Sequence, residues 1–163
     1  MSILNIIRSF IRMVRFIVLL DLYQAGKISI LLSLKKVNQK IKMVFLTPVK
    51  NEAWILEKFL KAASLWADYI IIADQMSTDG SREIASKFQK VILIHNPSET
   101  FNEPERQKLL INVARKIEGP RLLITLDADE IFTPNILNSE EFQKMCQAEP
   151  GTVFRFKWAN ILP

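Results

Sequence analysis

Two aspartates one residue apart, Asp127 and Asp129, close the stretch Leu122–Glu130 (LLITLDADE), and they are the side chains of this sequence best suited to chemistry. Hard carboxylate oxygens at that spacing can share a divalent cation, and Mg²⁺ or Mn²⁺ with a phosphorylated ligand is the usual pairing. The five apolar or β-branched residues ahead of them suit a strand buried on both faces of a parallel sheet. In open α/β sheets, ligands bind just beyond the carboxyl ends of such strands. An isolated D-A-D reads equally well as an acidic turn capping a helix, so the choice rests on the remaining residues.

The elements that would position those aspartates begin at Met43. Met43–Thr47 (MVFLT) reads as a buried strand stopping at Pro48, and Glu52–Trp66 as a helix with Ile55, Leu56, Phe59, Leu60, Ala63 and Trp66 on one face. Tyr69–Ala73 is a second buried strand, followed by a short helix around Ser81–Phe88 and a third strand, Val91–Ile94. Pro104 suits the first turn of a helix running to about Ile117, which Gly119-Pro120 ends before the fourth strand, Leu122–Leu126. Strands separated by crossover helices predict a parallel α/β sheet. Glu140–Gln147 reads as a further helix and Thr152–Trp158 (TVFRFKW) alternates like a strand.

Three polar clusters then follow strands one, two and four. They are Lys50-Asn51-Glu52, Asp74 with Ser77-Thr78-Asp79-Gly80, and Asp127-Ala128-Asp129-Glu130. Asn51 and Asp79 could each cap a helix. Three clusters converging on one sheet edge are harder to attribute to capping and favour a nucleotide-and-metal crevice. No G-x-G-x-x-G follows the first strand and no G-x-x-x-x-G-K-[ST] is present, which disfavours a dinucleotide fold and excludes a P-loop. With four glycines in the sequence, phosphate charge would have to be met by a metal and by side chains such as Lys50 or Arg106.

The net charge of +5 is unevenly distributed. Residues 1–42 hold eight Lys/Arg against Asp21, a balance of +7; residues 43–163 hold fourteen against sixteen acids, a balance of −2. The body therefore offers no electrostatic reason to bind nucleic acid. Within Ile3–Leu22, Arg8, Arg12 and Arg15 form one stripe of a basic amphipathic helix among apolar residues. Each arginine costs roughly 2.5–3.5 kcal/mol at mid-bilayer, so a helix lying in the membrane surface suits the segment better than a span. Lys35, Lys36, Lys40 and Lys42 would add attraction to anionic lipid. A helical pair packed on the body or on another subunit is the alternative. Equal solubility of the full chain and a form lacking residues 1–42 would refute the membrane reading. The single cysteine, Cys146, fits a reducing compartment, and one histidine, His95, makes zinc or a histidine-based nucleophile engine improbable. The implied location is cytoplasmic, peripheral at the inner face of a membrane.

TPVKNE (47–52), ADQMSTDGS (73–81) and LITLDADE (123–130) resemble, in order and spacing, the successive signatures of family 2 glycosyltransferases with the GT-A fold. Their usual forms are P-x-x-N-E, D-x-x-S-T-D-G and D-x-D. The resemblance implies a Rossmann-like three-layer α/β/α sandwich over residues 43–163, a nucleotide-sugar donor, and Mn²⁺ or Mg²⁺. It implies that Pro48 and Glu52 line the nucleoside pocket, that Asp74 hydrogen-bonds the base, and that Asp79 belongs with the donor-binding residues. Asp127 would lie near the ribose or diphosphate and share the metal with Asp129. Asn112 matches an asparagine common in the helix before the D-x-D strand. The arginine that often precedes it is Ile111 here, and Arg106 is the substitute. Gln75-Met76 stands where the family often has Asp-Gly, and Glu130 replaces a third aspartate.

In this family the acceptor half and its catalytic base lie downstream of the D-x-D. Glu140, Glu141 and Glu149 fall on a surface helix and its end, so no base is assigned in 131–163, and the domain is expected to be incomplete at its C-terminus. The reading is a metal-dependent glycosyltransferase domain acting on an unknown saccharide, lipid or protein acceptor. The alternative is a non-catalytic nucleotide-binding module or a partner-dependent subunit. A nucleotidyltransferase is disfavoured because its glycine-rich loop after the first strand is absent.

Overall fold

The computed structural model describes residues 40–157 and Ala159. The basic amphipathic segment falls almost wholly outside them. Lys42, its last residue, opens the first strand.

Four parallel strands, β1 (Lys42–Val49), β2 (Tyr69–Asp74), β3 (Val91–His95) and β4 (Arg121–Thr125), form one sheet in the order β3-β2-β1-β4. Helices α1 (Ala53–Ser64), α2 (Ser81–Ser86) and α3 (Glu103–Ala114) connect them, and α4 (Glu140–Gln147) follows. Ile70 and Ile72 of β2 enter the cluster built on Leu56, Phe59, Leu60, Ala63 and Ala85, while Ile71 and Ala73 enter the cluster built on Leu110 and Ala114 of α3. Helices therefore cover both faces, and β2 is an unbroken apolar run because both its faces are buried. This is the expected Rossmann-like three-layer α/β/α sandwich.

The strand order reverses between β1 and β4, which makes that junction the topological switch point where such sheets bind ligands. The order also corrects the expectation for β4. Among the described residues it is an edge strand, and α3 packs mainly on β1 and β2. Ile124 is buried, but Leu123 is 41 % exposed and Thr125 is exposed. The apolar run ahead of the aspartates is thus covered fully on one face only.

β1 runs through Pro48 instead of stopping there, with Pro48 opposite Ala73. The carbonyls of Leu46 and Val49 show why. Leu46 accepts from Leu126 on the β4 side and Val49 from Gln75 on the β2 side. By alternation the nitrogen of Pro48 faces β4, whose pairing with β1 has ended at Thr125. No ladder donor is lost, so proline is tolerated.

Residues 152–157 are not a strand, contrary to the alternation. No described segment pairs with them. Phe156 instead rests edge-on against Phe132 at 5.1 Å, and Phe132 against Phe45 at 6.1 Å. Cys146 is half-buried in α4 and desolvation pushes its thiol up, away from nucleophilic chemistry.

Candidate functional site

The first two polar clusters interlock. Asn51 adopts φ 58°, in the left-handed region that asparagine tolerates. Its N–H donates to Ser77 Oγ at 2.9 Å and its Oδ1 accepts from Thr78 N–H at 2.8 Å. Glu52 N–H donates to Ser81 Oγ at 2.9 Å. Asp79 Oδ2 accepts from Ala53 N–H at 2.8 Å, and its Oδ1 accepts from the Ser81 N–H at 3.0 Å and hydroxyl at 2.6 Å. Asp79 so serves the first turns of α1 and α2 together, where unpaired N–H groups need acceptors. The Ser81 hydroxyl chiefly lowers its carboxyl below the ordinary aspartate value. Both of its oxygens are engaged in the protein, where they staple the site's loops together. Asn51 ties the same loops and does not cap α1.

Asp74 ends β2 with its side chain 1 % exposed. Its Oδ2 accepts from Arg82 NH1 at 3.0 Å and from Ser77 N–H at 3.4 Å, while its Oδ1 is buried without a partner. Arg82 NH1 also lies 3.4 Å from Nδ1 of His95, which is opposite Asp74 in register. Glu52 is half-buried, and its Oε2 accepts from the indole N–H of Trp54 at 3.1 Å. Pro48 is buried at the end of β1.

Beyond β4, Ala128 is 3 % exposed and belongs to the core, whereas Asp127 and Asp129 on either side are exposed. Anchoring the alanine turns both carboxylates outward. Glu130 Oε2 accepts from Asp127 N–H at 2.9 Å, and the Asp127 carbonyl accepts from Glu130 N–H at 3.1 Å, which closes the turn. Desolvation raises the Asp127 carboxyl above the ordinary aspartate range; Glu103 and Asp129 add to the rise and Arg106 opposes it. Glu103 and Arg106 on α3 therefore act on the same carboxylate. Arg106 is held by Glu103 Oε2 at 3.1 Å and stands 5.1 Å from the centre of the Phe101 ring.

Asn112 is not brought to this edge. It is exposed near the far end of α3, roughly 13 Å along the axis from Glu103 at 1.5 Å per residue. α3 starts at the carboxyl edge of the sheet and runs back towards the start of β4, so only its first turns reach the site. That geometry favours Arg106 over any residue beside Asn112.

Sequence reasoning missed Glu103, Arg82 and Gln75. Gln75 is 1 % exposed, and its Nε2 donates to the carbonyls of Ser98 and Thr100, both at 2.9 Å, tying the loop after β3 to the end of β2. Its place beside Asp74 was the available signal. Met76 shows why the position after it often carries glycine: its φ is 52°.

Among the described residues, the buried side-chain polar atoms lacking a partner are Thr47 Oγ1, Asp74 Oδ1, Gln75 Oε1 and Arg106 Nε. All four belong to the carboxyl edge of the sheet or to the start of α3 beside it. Buried polar atoms are nearly always satisfied, and four exceptions on the ligand-binding edge of a parallel sheet mark a place organised around something other than the protein's own stability. Also among the described residues, no group of three or more His, Cys, Asp or Glu is arranged to hold a metal. Asp127 and Asp129 could supply two carboxylate ligands, which suits an ion completing its shell with water and phosphate oxygens.

The family model described as Glycosyl transferase family 2 matches residues 44–154, a span that takes in β1, the interlocked loops, Asp74, α3 and the Asp127–Glu130 turn. With that match and this fold, the chain belongs to glycosyl transferase family 2.

Proposed function

We propose that the carboxyl edge of this domain binds the nucleoside diphosphate portion of a nucleotide-sugar donor, with Mn²⁺ or Mg²⁺, and serves sugar transfer to an acceptor. The observation carrying the reading is the set of four unpartnered buried polar atoms on the carboxyl edge of the sheet and the start of α3, the same edge from which Asp127 and Asp129 turn outward. Asp74 at the end of β2 and Asp127 just after β4 belong to strands two positions apart in the sheet, roughly 10 Å at the usual strand spacing.

In this reading Pro48 and Glu52 flank the nucleoside, Asp74 offers Oδ1 to the base, and Arg106 meets diphosphate charge. Asp127 and Asp129 hold the divalent ion, and Asp127 also adjoins the ribose or diphosphate. The ion, when bound, offsets charge on the departing nucleoside diphosphate. Asp79 and Asn51 act indirectly by fixing the loops, and the Arg82 ion pair fixes the Asp74 carboxylate. The basic segment 1–42 is proposed to hold the domain at an anionic membrane surface on the cytoplasmic side.

Calorimetric titration with uridine, guanosine, adenosine and cytidine diphosphates, with and without Mn²⁺, tests the reading. One of them is expected to bind in a Mn²⁺-dependent way, and Asp129→Asn is expected to abolish that dependence. Metal-independent binding, or none, overturns it. Release of free sugar or of a glycosylated product from the matching donor separates an enzyme from a module that only binds.

A further inference from the structure

Arg106 acts on the Asp127 carboxylate, and two contacts constrain it. Its side chain is only 13 % exposed, and its NH1 is the atom that meets Glu103 Oε2, at 3.1 Å. Phe101 lies under the guanidinium at 5.1 Å, fixing its plane through a cation–π contact. Glu103 is itself pinned, because its other oxygen, Oε1, accepts from Gln107 Nε2 at 2.7 Å. Nε of Arg106 stays buried and unpartnered. With one terminal amino group and one face engaged, the Nε–H is left without an acceptor, and the edge it belongs to forms the parallel two-bond fork that phosphate oxygens accept.

We propose that Glu103 is a positioning residue of the donor site: it locks the Arg106 guanidinium against Phe101 so that the Nε edge is ready for the diphosphate. The inference rests on the donor-binding reading above. Glu103 could instead compete with phosphate for Arg106. The geometry argues against that, since Glu103 engages NH1 and not the Nε edge, and Gln107 keeps it there. An unanchored arginine must be ordered when ligand arrives, and ordering one long side chain weakens binding by roughly three- to ten-fold.

The test uses the full chain, Mn²⁺, and whichever of the four nucleoside diphosphates the wild type binds, alongside its parent nucleoside. Glu103→Ala is expected to weaken diphosphate binding by roughly three- to ten-fold while leaving nucleoside binding unchanged. Glu103→Gln, which keeps an acceptor for NH1, should recover most of the loss. In an Arg106→Ala background, Glu103→Ala should have no further effect, since a residue acting through another is silent once that one is gone. Unchanged or tighter diphosphate binding by Glu103→Ala overturns the proposal, as does a loss that persists without Arg106. If Glu103→Ala is neutral while Asp129→Asn still weakens binding, only the role of Glu103 fails. If the wild type binds no nucleoside diphosphate, the donor reading fails and takes this inference with it.

Discussion

Asp79 accepts the N–H of Ala53 at 2.8 Å, so a carboxylate from the loop after β2 caps the helix that follows β1. The same side chain caps its own helix through Ser81. Asp79→Asn retains one acceptor of the two and is expected to lower the urea midpoint with an unchanged m-value. The effect should depend on pH. The folded-state carboxyl lies below its ordinary value, so its contribution is complete above that value and is lost as pH falls through the lowered one. Wild type and variant should therefore converge in acid; a constant gap would mean that the charge of Asp79 is irrelevant.

Asp127 has the opposite sign. Its carboxyl is raised, so it favours folding while protonated and loses that contribution as pH rises through the raised value. In metal-free protein at neutral pH, Asp127→Asn should stabilise by about 0.3–0.5 kcal/mol, the scale of a solvent-screened pair. The gain should vanish in acid. The same substitution should weaken Mn²⁺-dependent nucleotide binding at least as much as the ~10–100-fold typical of outer-shell ligand changes. Thermal melts at two pH values and calorimetry measure both arms.

Arg82 is the partner of a buried carboxylate. Removing it with Arg82→Gln leaves Asp74 with one weak backbone contact and should destabilise by about 1–3 kcal/mol, the cost of a poorly satisfied buried group. Asp74→Asn in that background should recover part of the loss. Additive losses in the double-mutant cycle would show that the pair is not coupled.

Met76 should respond to its backbone. A side chain at φ 52° is strained by roughly 1–2 kcal/mol, against which glycine's greater unfolded-state freedom counts about 0.5–1. Met76→Gly is accordingly expected to be neutral or stabilising by up to about 1 kcal/mol in urea denaturation. A clear loss would mean that the Met76 side chain does more than occupy a turn.

Core and surface aromatics on α1 should part company. Phe59→Ala, at a side chain 1 % exposed, should cost about 3–5 kcal/mol. Trp54→Ala, at a residue 70 % exposed, should stay within about 0.5 kcal/mol. Equal effects would contradict the assignment of α1's buried face.

Periodicity and punctuation were enough to find β1 to β4, α1 to α4 and the convergence of Asp74, Glu52 and Asp127 on one edge. Those signals are local: apolar runs set strands, and polar residues after them set loops. The sequence motifs also carried the family. What local signals lack is information about neighbours. Only the strand order made β4 an edge with Leu123 exposed, and only the direction of α3 moved Asn112 away from the site and brought Glu103 and Arg106 to it. Asp79 and Asn51 could be named as polar loop residues, but whether each meets a ligand or a backbone N–H depends on which loop folds against which. Pro48 lies inside a strand because β4 stops short of it, a fact about pairing that no residue type records.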